Sequence, residues 1–171
     1  MRAKGRAQLI AEIPHLRRYA RALARDPEQA DDLVQSCLER ALSRFHLWQP
    51  ERALRPWLFR IMHNLHVNVL RHQGRRAAPL AFDDAAALAQ SEAGQERSAE
   101  VRQVLRAIDA LPEDQRAAVL LIGVEEFSYA EAADILGIPV GTLMSRLHRG
   151  RERLRRSLRM TSAPPPLRQI K

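Results

Sequence analysis

One cysteine, two tryptophans, two tyrosines and seven glycines among 171 residues rule out several kinds of protein. The lone Cys37 excludes an internal disulfide and any multi-cysteine zinc site. Its place among apolar helix positions reads as a buried, inert thiol. Few glycines and aromatics beside abundant Ala, Leu and Arg favour helices over sheets. No apolar run approaches the roughly 18 residues that a membrane span needs. The opening MRAKGRAQLIAEIPHL lacks the apolar core and small-residue cleavage site of an export signal, so a soluble cytoplasmic protein without membrane insertion is expected. No Gly-rich phosphate loop or nucleophile motif occurs. His63 and His66 can share a helix face, but His72 lies over a turn further on and no nearby Cys or Glu completes a metal shell. No enzymatic activity, catalytic residue, cofactor or metal is expected.

What the sequence does have is positive charge, +8 overall, which makes a polyanion such as nucleic acid a reasonable partner. The charge is laid out in blocks. Asp26, Glu28, Asp31, Asp32 and Glu39 follow one another with no Lys or Arg between them, whereas Arg55, Arg60, Arg71, Arg75 and Arg76 occupy a stretch without Asp or Glu. Between Ala77 and Glu100 the chain becomes small, polar and weakly periodic, as a connector would be. The end, MTSAPPPLRQIK, cannot continue a helix.

Helix starts are well marked. Pro14 reads as the opening of a helix carrying Leu16, Tyr19, Ala20 and Leu23. Asp26-Pro27-Glu28-Gln29 gives a capping-box pattern with proline at the first helical position. It starts a helix to about Phe45, with Leu33, Val34, Cys37, Leu38, Ala41, Leu42 and Phe45 on its apolar face. Pro56 opens a third, whose buried stripe is Trp57, Leu58, Ile61, Met62, Leu65 and Val69. Further helices are expected near Glu100–Ala110, Pro112–Gly123, Tyr129–Leu136 and Val140–Arg159. The expected fold is all-α: two small helical domains, a bundle over 6–76 and a second module over 100–159, joined by a flexible linker at 77–99, with a tail at 160–171.

The last two helices carry the clearest signal. Ser128 and Glu131 form a capping box, Gly137 can end the helix in the left-handed conformation, and Pro139 forces a turn before the next helix. That is helix-turn-helix geometry. In the following helix Leu143, Leu147 and Leu154 share an inward face, and seven arginines from Arg146 to Arg159 stand against the single acid Glu152. Such an imbalance suits DNA better than a self-neutralising surface. Thr142, Met144, Ser145, Arg146, His148 and Arg149 lie where a major groove would be read, with Arg151, Arg153 and later arginines placed for phosphate. In the N-terminal half, Phe45, Trp48, Trp57 and Phe59 adjoin arginines and histidines, a mixture that suits unstacked bases. Phe45 and Trp57 sit on helical apolar faces and read as core, while Trp48, in the loop LWQPERAL, is the better exposed candidate.

The segments ADDLVQSCLERAL, RPWLFRIMHNLHVNVLR and LPEDQRAAVLLIGVEEFSYAEAADILGIPVGTLMSRLHRGRERLR together resemble the extracytoplasmic-function group of bacterial RNA polymerase sigma factors, over nearly the whole chain. The resemblance implies a promoter-recognition role. The helix over 31–42 would dock on a coiled coil of the largest polymerase subunit through Asp31, Asp32, Leu33, Gln35 and Glu39, with the second-largest subunit also in contact. Trp48, Arg60, His63, Asn64, Asn68 and Arg71 would open and hold the minus-ten element, and the helix-turn-helix would read the minus-thirty-five element. An anti-sigma factor clamping both modules is implied as well. The alternative is an autonomous helix-turn-helix regulator whose N-terminal bundle serves dimerisation or ligand binding; it would bind a palindromic duplex unaided.

Overall fold

The computed structural model describes residues 3–24, 26–48, 53–76 and 99–161; the expected linker and the proline-rich tail lie almost wholly outside them. Among the described residues there are seven α-helices and no strand: α1 (Ala3–Ala24), α2 (Pro27–Ser43), α3 (Leu54–Arg76), α4 (Ala99–Asp109), α5 (Glu113–Gly123), α6 (Tyr129–Leu136) and α7 (Val140–Thr161), with a 3-10 turn at Phe45–Leu47.

Helices α1, α2 and α3 pack on one another around Leu16, Tyr19, Leu23, Cys37, Leu58, Phe59 and Met62. The start of α2 follows its sequence, with the Asp26 carboxylate accepting from the Gln29 amide at 2.8 Å and Pro27 at the first position. The Cys37 thiol donates to the Leu58 carbonyl, and burial pushes it up to about 12.

Pro14 does not open α1. The helix begins at Ala3 and carries Pro14 inside it. The proline removes only the amide bond to Ile10, and burial of Leu9 upstream and Leu16 downstream in the same core outweighs that local loss. Two other apolar expectations also fail: Leu42 and Val69 are exposed, because α2 and α3 are each covered along a narrower stripe than their sequences offer.

In the C-terminal half, α5 is buried nearly all round and forms the centre against which α6 and α7 pack. Ser128 and Glu131 make the full capping box. At the other end of α6, Gly137 is left-handed (φ 64°), its amide bonds the Asp134 carbonyl at 3.2 Å, and the Ile138 amide bonds that of Ala133 at 3.0 Å. This reciprocal pair closes the helix and aims the chain at Pro139, whose carbonyl accepts from Thr142 and Leu143 to begin α7. Leu143 and Leu147 are buried, and Gly150 lies so close to α5 that a Cβ there would meet the Val119 methyl at 2.8 Å. The absent side chain lets the two helices cross tightly.

Candidate nucleic-acid and polymerase interfaces

Helix α7 divides cleanly. Leu143, Leu147 and Gly150 face α5 and α6, while Thr142, Met144, Ser145, His148, Arg149, Arg151 and Arg153 are exposed. Ser145 bonds the Gly141 carbonyl at 3.0 Å and the Arg149 Nε bonds the Ser145 carbonyl at 3.3 Å, which leaves the Arg149 terminal nitrogens outward. Arg146 is half-buried and pairs with Asp114 of α5 at 3.4 Å. Of the expected reading residues it is the one drawn partly inward by an ion pair to another helix.

On α3, Arg60, Asn64, Asn68 and Arg71 are all exposed, and their spacing of about one turn puts them along one side of the helix. His63 does not belong with them. It is half-buried, and its buried Nδ1 has no hydrogen-bond partner among the described residues, because its side of α3 faces the rest of the fold. Burial, with smaller contributions from His66 and Arg146 against an opposing one from Glu113, lowers it to about 4.

His63 thus stays neutral in the folded chain and takes up a proton mainly on unfolding. Its contribution to stability is complete above about pH 6.5, its ordinary pKa, and is lost as pH falls towards about 4. The limiting slope is about 1.4 kcal/mol per pH unit. Denaturant titrations across this window should show the fall, and His63→Gln should flatten it.

Trp48 is half-buried rather than free. The 3-10 turn folds its ring onto Phe45 at 5.1 Å between centroids, and Phe45 in turn meets Trp57 edge-on at 6.4 Å. Gly5 of α1 sits against the Phe45 ring, where a Cβ would lie 2.6 Å from it. The three aromatics form a buttress, leaving Trp48 only part of its surface for a base.

The outer face of α2 presents Asp31, Asp32, Gln35 and Glu39 to solvent, with Gln35 donating to Glu39 at 3.0 Å. Leu33 departs from that group. It is 6% exposed, since it lies on the opposite side of the helix, in the core, and it supports the face instead of forming part of it.

Residues that sequence reading passed over join the two halves. Glu125, its side chain wholly buried, accepts from Arg18 Nε at 2.8 Å and from Arg55 Nη2 at 2.7 Å, with His15 at 3.3 Å. Burial alone would raise the Glu125 carboxyl, but the Arg18 and Arg55 hydrogen bonds overcome it and hold it below the usual range. Phe59 of α3 meets Phe127 edge-on at 4.9 Å, and the Arg55 guanidinium lies 5.0 Å from the Phe127 ring centre. His66 bonds Glu113 at 2.7 Å, and Glu113 also pairs with buried Arg116. Arg60 pairs with Asp134 at 3.1 Å. The two acids and the aromatic of Glu125-Glu126-Phe127 were the available signal, but nothing local distinguishes them from a solvated loop.

Residues 9–63 match the family model described as the Sigma2 domain of PhyR, and residues 101–154 match that for sigma-70 region 4. The ECF RNA polymerase sigma factor EcfG of Rhodopseudomonas palustris is 40% identical over 149 residues, covering 87% of this chain and 82% of that one. The chain is an extracytoplasmic-function RNA polymerase sigma factor. Its architecture agrees: the sigma factor RpoE of Bartonella quintana, solved with the anti-sigma factor NepR, aligns over 91% of this chain and 97% of its own with a TM-score of 0.76 and 31% identity. CnrH, solved with the cytosolic domain of CnrY, aligns over 91% of this chain and 88% of its own, at 27% identity and a TM-score of 0.67. This sigma factor binds the polymerase core and promoter DNA and directs promoter-specific transcription initiation. A sigma region over α1 to α3, in addition to the helix-turn-helix, sets aside the autonomous regulator. Among the described residues no helix is long and apolar enough to cross a membrane.

Proposed function

We propose that residues 6–76 of this sigma factor dock on the polymerase and open the minus-ten element, that 77–99 link them to a minus-thirty-five reader at 100–159, and that 160–171 form a tail. The observation carrying this reading is the division of α7, which turns Leu143 and Leu147 inward onto its neighbours while a row of polar and cationic side chains is left outward. Asp31, Asp32, Gln35 and Glu39 supply an acidic docking face for a basic coiled coil of the largest subunit. Arg60, Asn64, Asn68 and Arg71 line up to track an opened strand, and the Trp48 buttress offers the stacking surface that offsets the few kcal/mol of base extrusion. Thr142, Ser145, His148 and Arg149 reach base edges. Met144, 54% exposed, is apolar at a reading position and matches a thymine methyl better than a guanine edge. The protein works in the cytoplasm without enzymatic activity of its own. An anti-sigma factor is its regulatory partner, a reading supported by the relatives solved with NepR and with CnrY.

The test is transcription in vitro with purified core polymerase on genomic fragments, with and without this chain. Start-site-specific transcripts that need the chain support the assignment; none would overturn it. Within such a promoter, Arg149→Ala should weaken binding at the cognate minus-thirty-five sequence by about 1–3 kcal/mol and relax specificity there. Arg155→Ala should weaken binding evenly across sequences and lower the salt slope by about one. Competition binding over a range of salt separates the two, and equal, sequence-blind losses would contradict the division of labour.

A further inference from the structure

Resting on the minus-thirty-five reading above, we propose that Asp114 is a positioning residue for promoter recognition: its carboxylate holds Arg146 by Nε and so sets the arginine's terminal nitrogens as a prepared fork for a guanine edge in the major groove.

The pair joins two helices beside the reading surface. Leu143, Leu147 and Gly150 put one side of α7 against its neighbours. Next to that side, Thr142, Arg146, Arg149 and Arg153 recur at intervals of four, three and four, so they share one flank of the helix. Arg146 therefore stands in line with the exposed residues although its own side chain is only 28% exposed. What draws it in is Asp114, in the first turn of α5, whose carboxylate lies 3.4 Å from Nε. The neighbouring acid is taken up elsewhere, since Glu113 holds His66 and Arg116. Two successive carboxylates thus divide, one serving the interior and the other the reading helix.

The consequence follows from which nitrogen is held. A guanidinium meets guanine O6 and N7 either side-on, through Nε and one terminal nitrogen, or end-on, through both terminal nitrogens. With Nε turned to Asp114, Arg146 keeps the end-on fork. Arg149 is held in the same way by a different acceptor, its Nε on the Ser145 carbonyl of its own helix at 3.3 Å. A free arginine loses rotamer freedom when it binds, and one fixed beforehand has less to lose. Stability does not account for the pair, because Asp114 is half-exposed and ion pairs of that kind contribute little to folding. The acid also puts negative charge beside a surface that meets phosphate, which weakens sequence-blind binding. Its gain is discrimination.

The experiment reconstitutes core polymerase with the full chain and takes a promoter fragment that the wild type transcribes. Binding is measured to that fragment and to forms in which each guanine of the minus-thirty-five element is changed to adenine. Asp114→Asn should lower the preference for the original sequence by about threefold to tenfold, while the substituted forms bind equally well or more tightly. Asp114→Glu should restore most of the preference. In an Arg146→Ala background, Asp114→Asn should change it no further. Arg146→Lys, which keeps the charge and lacks the fork, should reproduce the loss and stays informative if Asp114→Asn folds poorly. Glu100→Gln, exposed in the first turn of α4, controls for charge and should leave the preference unchanged. A purely structural role for Asp114 would weaken binding to all these sequences together. That result, an unchanged preference in Asp114→Asn, or a further loss of preference in the Arg146→Ala background would overturn the positioning role alone. If the wild-type chain supports transcription from no genomic fragment, the sigma-site reading fails and this role falls with it.

Discussion

Phe59→Ala is expected to lower the unfolding free energy by about 3–5 kcal/mol, among the largest effects of any truncation in this chain. Phe59 is fully buried and sits at a junction: its ring meets Tyr19 at 5.1 Å within the N-terminal bundle and Phe127 at 4.9 Å across the joint. The Arg55 guanidinium lies 5.6 Å from its centre. Truncation removes apolar burial, leaves a cavity that flanking helices close only in part, and takes away an aromatic partner from both modules. Phe127→Ala should cost less, because the Tyr19 side of the junction stays filled. Denaturant melts of the two variants check the ranking; a larger loss for Phe127→Ala would place the centre of the core in the wrong module.

Glu113→Ala is expected to destabilise by about 3–5 kcal/mol, while Arg116→Met should be close to neutral. The asymmetry follows from what each change leaves behind. Arg116 is almost wholly buried, and its Nε and Nη1 have no hydrogen-bond partner among the described residues, so Glu113 is its compensating charge and also the acceptor for His66. Without Glu113 a guanidinium remains in the core unpaired. Without Arg116 the carboxylate keeps His66 and partial access to water, and methionine fills the volume. Burial works to raise the Glu113 carboxyl, but the His66 hydrogen bond and the Arg116 charge more than offset it and hold it low. Its contribution is thus present above about pH 4.5 and lost as the pH falls further. Equal losses for the two variants in chemical denaturation would show that Arg116 contributes by more than filling space.

Much of this was legible in the sequence because it is local. Asp26-Pro27, Ser128 with Glu131, and Gly137-Ile138-Pro139 each dictate a helix end through backbone bonds made within a few residues, and the structure shows those ends at those places. The inward leucines of α7 follow from helical period. What was not legible depends on distant partners. Leu33 stood both on the apolar face set by helical spacing and among the docking residues implied by the resemblance, and the packing of α2 on its neighbours puts it with the first. His63 fits the same polar pattern as Arg60 and Asn64, yet its side of α3 is covered. Glu125 looks like any loop acid until Arg18 and Arg55, far away in the chain, converge on it. Pro14 shows the reverse case, a strong local signal overruled by burial on both sides.

Cys37 carries a last consequence. A thiol pushed up to about 12 and bonded to a carbonyl in the interior offers almost no thiolate at neutral pH, and thiolate is the nucleophile that attacks peroxides and disulfides. Oxidants therefore have no chemical handle on this chain at its single cysteine. Should the genes it switches on answer oxidative stress, Cys37 is not the group that senses it.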